Sequence, residues 1–464
     1  MPFYFYAFRL TTFLVKKTFL ILLATYSVSS AQEITIPKFT FPDSTYRVGQ
    51  VIYIGNELTK YYVIEQEMSL QKDSLITHQS LQYDINRIYG LRLFTKVDVD
   101  VIPDSAQYAT LIVRVNERWY FYPFPVLGVK DREFSKVLSG DFSKVYYGAG
   151  VIHNNFAGRN TQMFGSFAFG YDPYVSIGYL NPLLDVENRI FFSFRAYYTE
   201  QRNRSLVTLS NSPNFDEIRS GGSTGIGKRY SLFTTISISL EFLNLKVSDN
   251  RAGRTLSLSG RDEFYSLHAG YVYDSRDLRE YPSDGSFVSF GVSKHGVFEK
   301  DVDYQRYNLD FRKYYSLSHD VVLAGRAFTS LASGGAVPNY GHVFFGYFER
   351  IRGHFKSILE GEQIVGTTIE AHYPLVTPRY IRLDFIPFEQ FRDIRYAIYA
   401  AGFADAGNTW YRKDNLSINQ FKSGYGFGIH FHFAYSAVAR FEYGIPYGNA
   451  FTKGEIILDL GAAL

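Results

Sequence analysis

The spacing of apolar residues changes twice along this chain. Val48 to Ile54 is a short apolar segment closed by Gly55-Asn56, and beyond it Val63, Ile64 and Met68 fall on one side of a helix that Thr59 can cap. A second helix is expected after Thr77, with Leu81, Ile85 and Ile88 at i, i+4 and i+7 and Gly90 at its end. From Val97 the period drops to two. Val97, Val99 and Val101 alternate with Asp98 and Asp100, and after Pro103-Asp104 the residues Leu111, Val113 and Val115 alternate with Ile112, Arg114 and Asn116. The order strand, helix, helix, strand, strand predicts a small sheet with its helices on one face, within residues 32–118. The aromatic segment Trp119 to Pro125 leads out of it.

Over residues 119–464 the two-residue period dominates in segments of roughly ten residues, the pattern of strands with one face to lipid and one to a polar lumen. Ile236, Ile238, Leu240 and Phe242 alternate with Thr235, Ser237, Ser239 and Glu241; Tyr307, Leu309 and Phe311 alternate with Asn308, Asp310 and Arg312. Similar segments fall near 121–129, 146–154, 161–171, 175–180, 189–198, 221–229, 233–244, 265–274, 286–294, 304–316, 321–331, 366–373, 396–405, 424–433, 436–443 and 454–464, sixteen in all. An even count suits a single-chain transmembrane antiparallel β-barrel, and that is the fold class expected, preceded by the small α/β domain. With the small domain in the periplasm, long connections at 130–145, 199–220, 245–264 and 332–365 fall outside and short ones inside. The connection 374–395 breaks that asymmetry, being long on the inner side. A soluble sandwich also alternates, but its strands are shorter and it needs no export signal.

Composition narrows the choice. Aromatic residues make up 18% of the chain, as 39 Tyr and 42 Phe against 2 Trp, a bias toward strand formers that suit a membrane interface. The formal charge of +3 gives no basic groove, so nucleic acid is not an expected partner. With no cysteine there are no disulfides or thiolate metal sites, which suits an oxidising compartment. Lys16-Lys17, the apolar run Thr18 to Ala24, and Ser29 and Ala31 before Gln32 read as a secretory signal over residues 1–31. Beyond it no run approaches the ~20 apolar residues of a spanning helix, so the membrane must be crossed by strands.

Catalytic chemistry finds little support. Gly221-Gly222-Ser223-Thr224-Gly225 has the letters of a serine-hydrolase elbow, but no helix follows, and a glycine-rich barrel strand is the simpler reading. His430 and His432 share one face of a strand and could seat a metal only with a third ligand near, so they read as lone lumenal histidines. No phosphate-cradling loop is present. No enzyme activity, metal or cofactor is therefore expected. Alternation places Glu370 on the lumen face, with Ile369, Ala371 and Tyr373 on the other.

The segment Phe348-Glu349-Arg350-Ile351-Arg352-Gly353-His354, in the longest outer connection, resembles the BamA/TamA outer-membrane assembly and translocation superfamily, the bacterial surface antigen family. The likeness extends to a single POTRA-like domain (Gly55-Asn56, Thr59, Gly90-Leu91-Arg92-Leu93-Phe94), to Asp274-Ser275-Arg276-Asp277 with Pro282 and Gly285, and to Phe403-Ala404-Asp405-Ala406-Gly407-Asn408. It implies a long loop folded back into the lumen, with Arg352 of the Arg352-Gly353 pair latched to Glu370 and Asp405. It also implies a weak lateral seam between first and last strands, marked by Phe121, Val129, Gly454, Gly461 and Leu464. His354 and Leu464 stand where the family usually has aromatic residues.

The function implied is assembly of outer-membrane proteins, or translocation of polypeptides, in a Gram-negative bacterium with the POTRA-like domain periplasmic. Expected partners are unfolded or nascent outer-membrane or secreted polypeptides, the lipid bilayer and accessory lipoproteins. The competing readings are a passive channel for small solutes and a dedicated secretion pore for one exoprotein.

Overall fold

The computed structural model describes residues 33–34, 46–105, 107–129, 140, 142–207, 214–251, 253–279, 281–299, 301–317, 321–355, 357–385, 392–433 and 437–461. The expected signal sequence and Leu464 lie outside the described residues.

After a two-residue strand β1 (Glu33–Ile34), the first domain runs β2 (Arg47–Ile54), α1 (Tyr61–Glu65), α2 (His78–Tyr89), β3 (Phe94–Pro103) and β4 (Tyr108–Glu117). β4 is central, parallel to β2 and antiparallel to β3, which leaves β2 and β3 as edges. The alternating valines face inward: Val97, Val99, Leu111, Val113 and Val115 are buried against Ile64, Leu81 and Ile88 of the helices. At α2, Thr77 accepts from the Ser80 backbone N–H and the Ser80 hydroxyl accepts from the Thr77 N–H, a reciprocal cap. The expectation for the first helix is corrected. It is one short turn preceded by Lys60, with no side-chain cap. Thr59 is occupied elsewhere: its backbone N–H donates to Glu117, and its hydroxyl meets Tyr120 and Asn155.

The second unit contains sixteen long antiparallel strands. They are β5 (Phe121–Val129), β6 (Val145–Phe156), β7 (Thr161–Gly170), β8 (Tyr174–Asp185), β9 (Ile190–Arg202), β10 (Asp216–Arg229), β11 (Thr234–Val247) and β12 (Arg261–Asp274). The rest are β13 (Gly285–Val297), β14 (Tyr304–Ser316), β15 (Val322–Gly334), β18 (Gln363–Arg382), β19 (Asp393–Trp410), β20 (Lys422–Phe433), β21 (Ala437–Pro446) and β22 (Glu455–Gly461). Each pairs with the next in chain order, and β15 pairs with β18 across a short hairpin of β16 (Val343–Phe345) and β17 (Leu359–Gly361). Among the described residues no register joins β22 to β5, so the ladder runs from first strand to last without a hydrogen-bonded closure. Ile236, Ile238 and Leu240 are exposed on the outer face, whereas Glu241 of the same strand turns inward to His268 and Tyr197.

Several strands exceed the 9–11 residues needed to cross a bilayer. β10, β11 and β12 each have 14, and their polar ends rise above the apolar band, where alternation in hydrophobicity no longer marks a strand. For the same reason the connection expected at 199–220 is shorter than its sequence suggests, since β9 reaches Arg202 and β10 begins at Asp216. The long inner connection at 374–395 is corrected too. β18 and β19 are the longest strands, 20 and 18 residues, and pair to Arg382↔Asp393 with register shifts near Pro374 and Val376. β15 begins opposite His372, leaving the other edge of β18 free below that point; β1 fills it with Glu33↔Ile381 and Ile34↔Tyr380.

The first domain sits directly on the inner turns. Leu183, near the inner end of β8, and Leu278, from the turn between β12 and β13, join its hydrophobic core. The Lys60 N–H donates to Gly158 O at 2.9 Å, and Gln66 donates to Val186 O at 3.1 Å. Glu67, buried, accepts from Arg229 of β10 at 2.6 and 3.1 Å and from Arg87 of α2 at 2.7 Å; Arg87 also donates to Leu232 O.

Candidate functional site

The connection from β15 to β18 turns inward between β16 and β17. Phe345 and Ile351 are buried with Ile364 of β18. They can lie that close because Gly366 and Gly407, facing them from β18 and β19, have no Cβ: one on Gly366 would come within 3.0 Å of the Phe345 ring, and one on Gly407 closer still.

This wedge delivers Arg352 to the wall. Its Nε donates to Asp405 Oδ2 at 2.8 Å and its Nη2 to Asp405 Oδ1 at 2.9 Å, while its backbone N–H also reaches Oδ2 at 2.9 Å. Nη1 donates to Glu370 Oε2 at 2.5 Å and to Glu442 Oε1 at 2.7 Å. The guanidinium carbon lies 3.6 Å from the centre of the Phe403 ring. The planar fork of arginine is thus filled on three sides by carboxylates and covered by an aromatic face.

Glu442 was not singled out from sequence, although its inward face on β21 is readable once the strand is in register. Gly353, expected beside Arg352, holds the turn, and the glycines facing it carry no sequence signal of their own. Gly353 adopts φ +95°, and a Cβ there would stand 2.7 Å from the Ile445 carbonyl carbon. Opposite it, Gly424 and Gly444 form a notch on β20 and β21: a Cβ on Gly444 would meet Gly353 N at 2.5 Å, and one on Gly424 would run into Arg352 O. His354 Nε2 is 3.1 Å from Ser423 O, and the Phe355 N–H donates to Glu455 Oε2 at 2.7 Å. Glu455 is the first residue of β22, so the loop is tied to the last strand directly.

A second tie lies higher in the lumen. Glu349 accepts from both terminal nitrogens of Arg326 at 2.9 Å, and Arg326 also donates to Asp310, which Arg312 shares. Above it is a cavity of about 540 Å³ lined by Arg219, Arg306, Arg326, Tyr340 and Tyr347. The loop is therefore tied to the lumenal wall at two points.

The residues expected at the seam are placed as follows. Phe121 opens β5 and Val129 ends it. Gly461 is the last residue of β22, opposite Val438. Gly454 precedes β22 rather than lying within it, because the chain makes a turn at Phe451–Lys453 and the Tyr443 ring takes the space beside Gly454. Gly221 to Gly225 lie within β10, with no helix after them.

The family models agree with this architecture. Residues 155–455 match the Omp85 superfamily domain. The chain belongs to the Omp85 superfamily. Residues 46–118 match the POTRA model, described as a surface antigen variable number repeat. Within the superfamily the chain is 24% identical over 324 residues to the outer membrane protein assembly factor BamA of Nitratidesulfovibrio vulgaris, covering 66% of this chain and 37% of that protein. The chain thus spans well under half the length of this relative. Among solved structures it is similar to BamA from Haemophilus ducreyi lacking POTRA domains 1–3, with TM-score 0.52, 17% identity, and coverage of 98% of this chain and 93% of the other. It is also similar to CdiB from Escherichia coli, with TM-score 0.53, 10% identity, and coverage of 89% and 74%. As an Omp85 protein it is a barrel of the Gram-negative outer membrane, with its POTRA domain in the periplasm.

Proposed function

We propose that this Omp85 protein inserts or translocates polypeptides at the outer membrane without enzymatic turnover, through a lateral seam between β5 and β22. The observation that carries the reading is the break in the ladder: fifteen neighbouring pairs have a register and the first and last strands have none among the described residues. Two residues of β5 support it. Pro123 and Pro125 are two apart, so they share one edge of the strand, and neither has an N–H. Proline is accommodated in a sheet where its N–H side is unpaired, which assigns that edge to the seam. An incoming strand would find unpaired groups there, as it would on the edge strand β3 of the POTRA domain.

The latch around Arg352 keeps the loop inside the lumen and, through Phe355 and Glu455, bears on the seam strand β22. A lumen occupied in this way argues against a passive channel.

The chain has no cysteine, so introduced pairs are clean. Cysteines scanned between residues 121–127 and 455–460 would identify pairs that oxidise across the seam. In proteoliposomes, with a urea-denatured eight-stranded outer-membrane barrel as substrate, the oxidised seam should stop insertion and reduction should restore it. Full insertion through a quantitatively locked seam would refute the reading, as would a large, steadily open conductance of the wild-type protein in planar bilayers.

A further inference from the structure

Below the Arg352 latch lies a second group of side chains that the latch does not explain. Glu370 and His372 are two apart on β18 and face the lumen together, and His430 on β20 comes to meet them. Both strands flank β19, where the residue between them is only Ala401: it pairs with His372 on one side and Gly428 on the other. That small side chain lets groups from β18 and β20 approach over it. One donor atom from each of Glu370, His372 and His430 falls within 4.8 Å of the other two, and all three residues are buried.

The charges do not balance. Glu370, Asp405 and Glu442 are three buried carboxylates that share one guanidinium, Arg352, and the remaining contacts of Glu370 and Glu442 are with His372 and His430. Arg440, next along the wall, pairs with Asp459 and acts on Glu442 only from a distance. Tyr281, which enters from the inner turn between β12 and β13, and Tyr399 add no charge; they stack, 4.3 Å between ring centres. Uncompensated charge in so enclosed a place is costly, and it calls for a cation.

The histidines are arranged to receive one. His430 Nε2 is 3.2 Å from Glu442 Oε1, to which it donates, and this orients Nδ1 as a lone pair toward Glu370 Oε1 at 4.0 Å. A carboxylate holding the far N–H of an imidazole is the usual support of a metal-binding histidine. His372 Nε2 contacts Glu370 Oε1 at close range, and its Nδ1 has no hydrogen-bond partner although it is buried. The Tyr281 ring covers His372 at 4.7 Å, and the Tyr281 hydroxyl is 3.2 Å from His430 Nδ1.

We propose that Glu370, His372 and His430 form a binding site for one divalent metal ion of the zinc class, with the Tyr281 hydroxyl facing the fourth position. Two imidazoles and one carboxylate suit zinc better than calcium or magnesium, which prefer all-oxygen sets. Seating the ion at bonds of about 2.0–2.2 Å needs the His372–Glu370 hydrogen bond to open, with Nδ1 taking the proton from Nε2, because two ligands of one tetrahedral ion lie roughly 3.3 Å apart, and needs the 4.0 Å gap from His430 to Glu370 to narrow. The ion ties β18 to β20 across β19 and fixes the carboxylate that also receives Arg352. It is structural, since the site is closed by Tyr281. The inference does not depend on which polypeptide the barrel handles.

The test uses the full, untagged chain refolded in detergent, stripped with chelator, and titrated calorimetrically with zinc alone. The expected result is one zinc per chain. His372→Gln and His430→Gln should each weaken binding at least 100-fold, and Glu442→Gln about 10- to 100-fold as a positioning change. His78→Gln, on the exposed surface of α2, should bind as wild type. Heat-modifiable gel mobility confirms that each variant is folded, and cobalt in place of zinc supplies an independent readout through its visible absorption bands in the wild-type protein. No zinc binding by the folded wild type, or unchanged binding in both histidine variants, overturns the proposal.

Discussion

Arg352 grips both carboxylate oxygens of Asp405, Nε to Oδ2 at 2.8 Å and Nη2 to Oδ1 at 2.9 Å, across 53 residues of chain. Removing Arg352 leaves three buried carboxylates without their guanidinium, whereas removing Asp405 leaves Arg352 with Glu370 and Glu442. Arg352→Ala should lower barrel stability by about 3–5 kcal/mol and Asp405→Ala by a smaller amount, and the double variant should cost less than the two summed. Arg352→Lys keeps the charge and loses the fork, so it should fall between. Urea titration of the refolded barrel, followed by heat-modifiable mobility, measures this; wild-type midpoints in both alanine variants would remove the latch from the account.

Gly353 tests the wedge separately from the charge. At φ +95° and 2.7 Å from the Ile445 carbonyl carbon, the position admits no Cβ without moving the loop. Gly353→Ala should loosen the loop by about 1–3 kcal/mol while leaving every ionic partner in place. Protease added from outside should then cut between residues 346 and 358 faster than in wild type. Gly424→Ala on the opposing strand should behave alike, because its Cβ would strike the Arg352 carbonyl oxygen.

The number of strands was legible from a local signal, and Arg352 with Glu370 and Asp405 from the resemblance carried by the runs Phe348 to His354 and Phe403 to Asn408. Alternation marks a strand wherever lipid covers one face, and the run from Phe348 to His354 carries a distinctive set of side chains. What was not legible is what requires register. Glu442 joins the latch only because β21 pairs with β20 at Glu442↔Gly428. The Gly424–Gly444 notch is two ordinary strand glycines until the loop lies on them. The extension of β18 and β19 below the barrel was hidden because those residues have no lipid face to write a pattern. Thr59 was misassigned as a helix cap for a related reason: its partners Glu117, Tyr120 and Asn155 lie 58 to 96 residues away.

The contact between the POTRA domain and the barrel should depend on pH through Glu67. Burial alone would raise its carboxyl, but Arg229 and Arg87 outweigh burial and hold it at about 2, below the ordinary 4.5. A depressed carboxylate contributes its stabilisation fully above 4.5 and loses it as pH falls from there toward about 2. The loss amounts to roughly 3 kcal/mol when complete. A disulfide trap between Thr59→Cys and Asn155→Cys, which report on facing residues of the two units, should form readily at neutral pH in wild type. In Glu67→Gln, where two arginines are left without their shared carboxylate, it should form more slowly. Trapping at the wild-type rate in that variant would show that Glu67 does not hold the domain in place.

Pro123 and Pro125 offer a gain-of-stability test of the seam. Each lacks the N–H that a closing strand would need, and both lie on one edge of β5. Pro123→Val with Pro125→Val restores two donors in side chains that favour strands, each worth about 0.5–1.5 kcal/mol if β22 pairs with them. The double variant should melt higher and insert substrate several-fold more slowly, since a strand entering the seam must first displace the bonds just gained. A variant that melts higher and inserts at the wild-type rate would separate stability from function and move the route of the polypeptide away from this edge. The combination expected from a seam is opposed changes, and few other positions in the barrel would produce it: removing a proline from a closed part of the wall should alter stability without slowing insertion.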